Sequence, residues 1–155
     1  MPRTSYAIAI GSNRRGRHGS PAQEVMAAIR ALGGVTAASP IHHTPPLGPS
    51  KRRFANAVTL IESNEAPPAL LRRLKGIEHA FGRRRGQNWA ARVIDLDIVL
   101  WSGGSWGEPR LTVPHRLFRQ RDFVLAPLVQ VAPDWRDPVT GLSMRQLYAR
   151  LRRKR

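Results

Sequence analysis

The stretch from Arg92 to Trp101 constrains the fold of this chain strongly, because it carries two carboxylates into an otherwise apolar run. The pattern predicts a β-strand, in which side chains two residues apart point to the same face. Asp95 and Asp97 would then share a face, with Cα atoms roughly 6.5 Å apart. The other face would be formed by Ile94, Leu96, Ile98 and Leu100. Neighbouring carboxylates repel each other unless a cation or a hydrogen-bond donor compensates them. A divalent ion would do so; the alternative is that they form the solvent face of an amphipathic strand.

The chain has 155 residues, a formal net charge of +16 at pH 7 and no cysteine. This length suits a single domain over residues 1–155, with a basic tail at about residues 150–155. Without thiolates, any metal must be held by oxygen or imidazole ligands, which favours magnesium. The charge indicates nucleic acid, an acidic membrane or a phosphate-rich small molecule as partner, without choosing among them. We find no membrane-spanning run and no signal peptide, and expect a soluble, cytoplasmic protein.

Hydrophobic periodicity predicts alternating strands and helices, and Ser20 with Gln23 has the spacing of a capping box that begins the first helix. Strands are predicted over residues 5–10, 35–43, 54–61 and 92–101, with helices over 21–32 and 67–81. The order strand, helix, strand, strand, helix, strand is typical of an α+β, ferredoxin-like antiparallel sheet with helices packed on its faces. Further along, residues 123–131 indicate a buried helix, and Ser143 with Gln146 has the spacing of a capping box that begins a C-terminal helix. The arginine-rich segment 83–91 lacks an apolar period and is interpreted as a mobile loop.

The chain contains no Gly-x4-Gly-Lys-Ser/Thr motif and no Gly-x-Gly-x-x-Gly motif, so a nucleotide would have to be held by arginines and a metal. Guanidinium groups match phosphate oxygens in a bidentate way that lysine does not. An arginine run is also typical of a solvated face, which remains the alternative at each position. The candidates are Arg83, Arg85, Arg92, Arg110 and Arg121.

Four other side chains suit either a ligand or local packing. His115 could bind phosphate, act as a general acid or lie on the surface. A large aromatic at a loop edge, as at Phe54 and Trp89, either covers a planar ligand or fills the core of its own loop. Asparagine is unusual in a strand, so Asn56 either contacts the edge of a ligand or ties down a neighbouring backbone group.

Seven sequence blocks lie in order between Ala7 and about Asp134. They are Ala-Ile-Gly-Ser-Asn at 9–13, Thr-Pro-Pro-Leu-Gly at 44–48, Phe-x-Asn at 54–56, Leu-Leu-x-x-Leu-x-x-Ile-Glu-x-x-x-Gly-Arg at 70–83, Arg-x-Ile-Asp-Leu-Asp-Ile at 92–98, Leu-Thr-Val-Pro-His at 111–115 and Arg-x-Phe-Val-Leu-x-Pro-Leu at 121–128. Together these blocks resemble the 6-hydroxymethyl-7,8-dihydropterin pyrophosphokinase family.

The resemblance implies transfer of the diphosphoryl unit of ATP to the hydroxymethyl group of the pterin, with release of AMP, in folate biosynthesis. It implies ATP as co-substrate and two Mg²⁺ ions held by Asp95 and Asp97. The catalytic residues would be Arg83, Arg92, Asp95 and Asp97. The ATP-binding residues would be Glu78, Arg83, Arg92, Ile98, Arg110, Thr112, His115 and Arg121. The pterin-binding residues would be Thr44, Pro45, Pro46, Leu47, Phe54, Asn56, Trp89, Asp95 and Phe123.

The chain also departs from the family pattern. Ala90 and Ala91 stand where Gly-Pro is usual, and Lys75 and Arg116 add positive charge. These changes leave open a pyrophosphokinase with a different heterocyclic acceptor, and the net charge leaves open a basic nucleic-acid-binding module on the same fold. We expect a monomer whose partners are ATP and a pterin, with no membrane association and only nonspecific nucleic-acid binding.

Overall fold

A computed structural model describes residues 2–44, 53–82 and 92–154. The strands are β1 (Thr4–Ser12), β2 (Val35–Ala38), β3 (His42–Thr44), β4 (Phe54–Ser63), β5 (Asp95–Trp101), β6 (Trp106–Glu108) and β7 (Leu111–Val113). The helices are α1 (Pro21–Leu32), α2 (Pro67–Ala80), α3 (Asp122–Val131) and α4 (Met144–Arg153), with a 3₁₀ turn at Phe118–Gln120. The predicted mobile loop 83–91 lies outside the described residues.

The main sheet has the strand order β2-β4-β1-β5, with β3 also paired to β4. Every neighbouring pair in it is antiparallel. β6 and β7 form a separate hairpin, which the sequence pattern did not predict. The prediction of an α+β fold with an antiparallel sheet and packed helices is confirmed. No described helix has both the length and the apolar character that a membrane span requires.

Strand alternation divides the hydrophobic residues of the sheet between two cores. Along β1, Tyr6, Ile8 and Ile10 point into the core that contains α1 and α2. The residues between them, Ala7 and Ala9, face the core that contains α3 and α4. Helices therefore cover both faces of the sheet, and any open site must lie at an end or an edge.

Both predicted capping boxes are confirmed. The Oγ of Ser20 accepts from the N–H of Gln23 at 3.3 Å, and the Oε1 of Gln23 accepts from the N–H of Ser20 at 2.8 Å. Ser143 and Gln146 make the same reciprocal bonds, at 3.1 and 2.9 Å, at the start of α4. Each box satisfies amide groups that have no partner inside the first helical turn.

The prediction of one strand over residues 35–43 is wrong, because the extended segment is interrupted at Ser39 and Pro40, between β2 and β3. Proline has no N–H to donate to a ladder. Ser39 instead bridges to Val58 of β4: its N–H donates to the Val58 carbonyl at 2.9 Å, and its Oγ accepts from the Val58 N–H at 3.0 Å.

The prediction that Leu100 shares a face with the alternate residues before it is also wrong. Ile98 pairs with Ile8 of β1, but Leu100 pairs with Ala7, so Val99 is an extra residue in β5. Such a β-bulge reverses the alternation beyond it. Ile98 accordingly packs with α1 and α2, whereas Val99 and Leu100 both pack with α3 and α4.

Candidate functional site

Two cavities meet at the side chain of Asp97. The first, about 310 Å³, lies between the sheet and the start of α3, and we call it the α3 cavity. It is lined by Ala9, Ile10, Gly11, Thr44, Phe54, Asn56, Ala57, Asp95, Asp97, Arg121, Phe123 and Val124. The second, about 560 Å³, lies between β5 and α2, and we call it the α2 cavity. It is lined by Leu71, Lys75, Leu96, Asp97, Ile98, Pro109, Arg110, Leu111, Thr112, His115, Arg116 and Leu117.

The two aspartates of β5 point to the same side, as predicted. Asp95 is opposite Gly11 and Asp97 is opposite Ala9 on β1, and both carboxylates line the α3 cavity. Leu96 between them is buried in the other core. Because glycine and alanine are small, β1 leaves room above the carboxylates.

The surroundings of Asp97 disfavour the ionised form of its carboxyl group. Burial raises the pKa of its carboxyl above the ordinary value, and the neighbouring Asp95 raises it further. His115, Arg121 and Lys75 oppose this effect without cancelling it. A bound cation would relieve both causes, since it favours the ionised form.

The carboxylates suit magnesium that is bound together with a phosphate ligand. Within residues 2–44, 53–82 and 92–154, no three His, Asp or Glu side chains come together as a metal site. Mg²⁺ usually takes one or two protein carboxylates and completes its shell with water and substrate phosphates. Asp95 and Asp97 supply that number of oxygen ligands beside a cavity, so the donor set fits Mg²⁺ in the presence of a phosphate substrate.

Arg92 lies three residues before the first residue of β5, and contacts with two residues hold it in place. Its Nη1 is 3.2 Å from Oδ1 of Asp95. Its backbone N–H donates to Oδ1 of Asn13 at 2.7 Å, and its carbonyl accepts from the N–H of Asn13 at 3.1 Å. Sequence analysis did not single out Asn13, although it ends the Ala-Ile-Gly-Ser-Asn block. Asn13 fixes the backbone from which the Arg92 side chain reaches Asp95.

His115 is oriented by its neighbours as a neutral hydrogen-bond donor. The backbone N–H of His115 donates to the carbonyl of Val99 at 3.0 Å, and its ring Nδ1 accepts from the backbone N–H of Leu117 at 3.1 Å. Burial lowers the pKa of the imidazole, and the positive charge of Arg121 also lowers it, against the opposing effect of Asp97. With Nδ1 used as an acceptor, the proton is on Nε2, which can donate to an anion.

The wall of the α3 cavity also carries aromatic rings and an amide. Phe54 and Phe123 line it from β4 and α3. The Nδ2 of Asn56 donates to Oγ1 of Thr44 at 3.0 Å, which fixes the orientation of the amide. Its Oδ1 lies 3.0 Å from the position a Cβ would take at residue 11, so Gly11 leaves room for this close approach. Asn56 thus bonds to a side chain in the cavity wall rather than to a backbone group.

The other predicted site residues fall into three groups. Ile98, Arg110, Thr112 and His115 line the α2 cavity, whereas Arg121 lines the α3 cavity. Glu78 is 1% exposed, and its Oε2 accepts from the N–H of Leu96 at 2.8 Å. It therefore supports β5 and is not among the residues that line the α2 cavity. The predictions at Pro45, Pro46, Leu47, Arg83 and Trp89 lie outside the described residues. Lys75, which the sequence marks as a departure whose positive charge suits phosphate, lines the α2 cavity.

A sequence model of the 7,8-dihydro-6-hydroxymethylpterin-pyrophosphokinase family matches residues 7–133. A relative from Pseudomonas aeruginosa, named 2-amino-4-hydroxy-6-hydroxymethyldihydropteridine pyrophosphokinase, is 39% identical over 137 residues, which cover 84% of this chain and 82% of that protein. A protein of the same name from Synechocystis is 39% identical over 100 residues, covering 64% of this chain and 51% of that protein. The match thus spans about half the length of the Synechocystis relative.

Solved structures share the fold at low sequence identity. The Plasmodium falciparum HPPK-DHPS wild-type structure has a TM-score of 0.74 at 14% identity and covers 96% of this chain and 45% of that chain. A structure described as HPPK-DHPS in complex with substrates has a TM-score of 0.77 at 12% identity and covers 97% and 45%, respectively. The family match over most of the chain and the identity to the Pseudomonas relative show that the chain belongs to the 7,8-dihydro-6-hydroxymethylpterin-pyrophosphokinase family.

Proposed function

We propose that this protein transfers the diphosphoryl group of ATP to the hydroxymethyl group of 6-hydroxymethyl-7,8-dihydropterin, releasing AMP, in folate biosynthesis. One observation carries the proposal: Asp97 forms part of the wall of two cavities of different chemical character. A reaction between a planar heterocycle and a polyphosphate needs two such sites that meet at the reacting atoms. We also propose one domain over residues 1–155, acting as a monomer.

The α3 cavity suits the pterin. Phe54 and Phe123 offer aromatic faces on which a flat ring can stack. The oriented amide of Asn56 offers an acceptor and a donor for the polar edge of the ring. Its volume of about 310 Å³ falls at the lower end of the range for small-molecule sites, which suits a bicyclic ligand.

The α2 cavity suits the nucleotide. Its wall combines apolar side chains, such as Leu71 and Leu111, with cationic ones, such as Lys75 and Arg110. The apolar part suits the base and the cationic part suits the phosphates. This division agrees with the absence of a glycine-rich phosphate loop from the sequence, because the charged side chains take over that role.

The reaction joins the hydroxymethyl oxygen to the β-phosphorus and breaks the bond from the β-phosphorus to the oxygen that bridges to the α-phosphorus. The bridging oxygen leaves on AMP with the bonding electron pair. Asp95 orients the hydroxyl and accepts its proton, and the guanidinium of Arg92 offsets charge beside it. Asp95 and Asp97 would hold Mg²⁺, which when bound neutralises phosphate charge. Neutral His115 donates from Nε2 to a phosphate oxygen.

The test measures AMP and ADP after incubation with Mg-ATP, with and without 6-hydroxymethyl-7,8-dihydropterin. We expect AMP only when the pterin is present, and ADP instead of AMP would contradict the proposal. We expect Asp97→Asn to lower the rate of AMP formation at least about a hundredfold, with an unchanged far-UV circular dichroism spectrum. Asp134→Asn is the matched control, because that side chain is 82% exposed. Unchanged turnover in Asp97→Asn would remove this residue from the mechanism.

The net charge of +16 supports a second candidate, a nucleic-acid-binding module on this fold. RNA or DNA binding that falls steeply with salt, without pterin-dependent consumption of ATP, would favour it. The same assay tests other acceptors. AMP formed only with another hydroxymethyl heterocycle would identify a pyrophosphokinase of different acceptor specificity.

A further inference from the structure

Lys75 lies on the wall of the α2 cavity close to the two-cavity junction. It follows Leu71 by one helical turn, and both side chains line the cavity. Its Nζ is 3.8 Å from Oε1 of Glu78, whose Oε2 accepts from the N–H of Leu96. Since Leu96 precedes Asp97, this chain of contacts places the ammonium group beside the Asp97 end of the cavity.

The position of Lys75 between the apolar part of the α2 cavity and the junction with the α3 cavity indicates which part of a nucleotide it would meet. Leu71 and Leu111 provide the apolar part of the cavity, and Asp97 marks the junction with the α3 cavity. A donor whose β-phosphate reacts at the junction and whose base occupies the apolar part has its α-phosphate between the two. Along α2, Lys75 stands between Leu71 and the contact of Glu78 with β5. The ammonium therefore faces the region of the α-phosphate.

Charge develops at that phosphate during the reaction. When the bond between the β-phosphorus and the bridging oxygen breaks, the electron pair stays on that oxygen, and AMP leaves with more negative charge on its α-phosphate than ATP carries there. A cation at this point is worth more in the transition state than in the ground state. We propose that Lys75 is a catalytic residue that binds the α-phosphate and stabilises the departing AMP; this rests on the proposed function.

Other cations of the cavity wall lie on other elements. Arg110 lies in the turn between β6 and β7, whereas Lys75 is on α2. Lys75 also acts on Asp97 electrostatically, which agrees with its place near the junction. Arg72, on the same helix, is exposed and is not part of the cavity wall. It therefore supplies a control for the loss of one positive charge from α2.

The experiment compares wild type, Lys75→Gln, Lys75→Arg and Arg72→Gln. Single-turnover formation of AMP is followed with enzyme in excess and ATP and pterin bound, and the affinity for AMP is measured by isothermal titration calorimetry. We expect Lys75→Gln to slow the single turnover at least about tenfold and to weaken AMP binding several-fold. Lys75→Arg keeps the charge and should retain most of both properties. Arg72→Gln should match wild type.

Two results would overturn the inference. An unchanged single-turnover rate in Lys75→Gln, with only weaker ATP binding, would mean that Lys75 binds ground state and transition state equally. An unchanged affinity for AMP would mean that it does not contact the α-phosphate. If wild type forms no AMP with the pterin, the proposed function fails, and the calorimetric comparison then decides by itself whether Lys75 binds the phosphate of AMP.

Discussion

Asp137 is a buried carboxylate with a complete set of donors, in contrast to Asp97. Arg119 donates to it from Nε at 2.6 Å and from Nη2 at 2.9 Å. The N–H of Val139 and the hydroxyl of Thr140 add bonds at 3.0 and 2.8 Å. Burial alone would raise the pKa of Asp137, but the bonds from Arg119, Val139 and Thr140 outweigh it, so the pKa lies below its ordinary value. Asp137 therefore stabilises the fold, whereas Asp97 is retained at a cost in stability.

We predict that Asp137→Asn lowers the free energy of unfolding at pH 7 by about 3 kcal/mol, because it leaves Arg119 without its charged partner. The folded-state pKa is depressed, so this stabilisation is present above the unfolded pKa of about 3.9 and is lost as pH falls through the folded pKa. Urea unfolding at pH 7, 5 and 3 should show the difference from wild type shrinking below pH 4. Asp134→Asn, at an exposed carboxylate, should change stability by less than about 0.5 kcal/mol. Equal losses in the two variants would contradict the prediction.

Residue types reveal the two carboxylates of β5 but not the buried carboxylate that supports the fold. Asp95 and Asp97 can be found from the sequence because strand alternation is a local rule. Asp137 cannot be found in the same way, since its partner Arg119 is 18 positions away and meets it only through the packing of the 3₁₀ turn. Asn13 is similar, because its contact with Arg92 joins segments 79 positions apart.

At the level of elements, Glu78 connects α2 to the outer edge of the sheet. β5 is the last strand in the order β2-β4-β1-β5, so one side of its backbone has no strand beside it in the main sheet. Glu78 accepts from Leu96 N–H on that side. The helix thereby satisfies an edge amide and fixes the distance between the two walls of the α2 cavity.

We predict that Glu78→Leu destabilises the protein by about 2 kcal/mol more than Glu78→Gln, because glutamine keeps an oxygen acceptor for Leu96 and leucine leaves the amide buried without one. Urea unfolding of both variants measures this difference. The leucine variant should also have the higher KM for ATP, since the wall beside Lys75 is no longer fixed. Equal stability of the two variants would show that the bond to Leu96 contributes little.

Elements with local signals were predicted better than those that depend on a partner. The capping boxes at Ser20 and Ser143 begin α1 and α4 as expected, because their bonds span three residues. The break at Pro40 has a local cause that the apolar pattern of residues 35–43 concealed. The bulge at Val99 depends on the register with β1, which no property of β5 alone determines.

Across the whole molecule, positive charge is unevenly distributed between the two cavities. Lys75, Arg110 and Arg116 line the α2 cavity, whereas in the α3 cavity the cation Arg121 stands among two aspartates and two phenylalanines. The electrostatic attraction that accompanies a net charge of +16 should therefore act mainly on the nucleotide.

We predict that raising NaCl from about 50 to about 200 mM increases the KM for ATP several-fold and changes the KM for the pterin by less than about twofold, because salt screens the charged partner and not the neutral one. Steady-state kinetics at fixed Mg²⁺ measures both constants. Urea unfolding at the same salt concentrations controls for changes in stability. Parallel increases in the two constants would indicate a general effect of salt on the enzyme.

The extra residue at Val99 divides β5 into two lengths of opposite phase. Before Val99, the odd-numbered side chains Asp95 and Asp97 face the α3 cavity. From Val99 onward, Val99 and Leu100 both face α3 and fill the core there. One strand thus passes from binding surface to hydrophobic interior without a turn. The part of β5 that carries the two carboxylates and the part that anchors the strand are separate, so mutation can alter the carboxylates while the anchor keeps its packing.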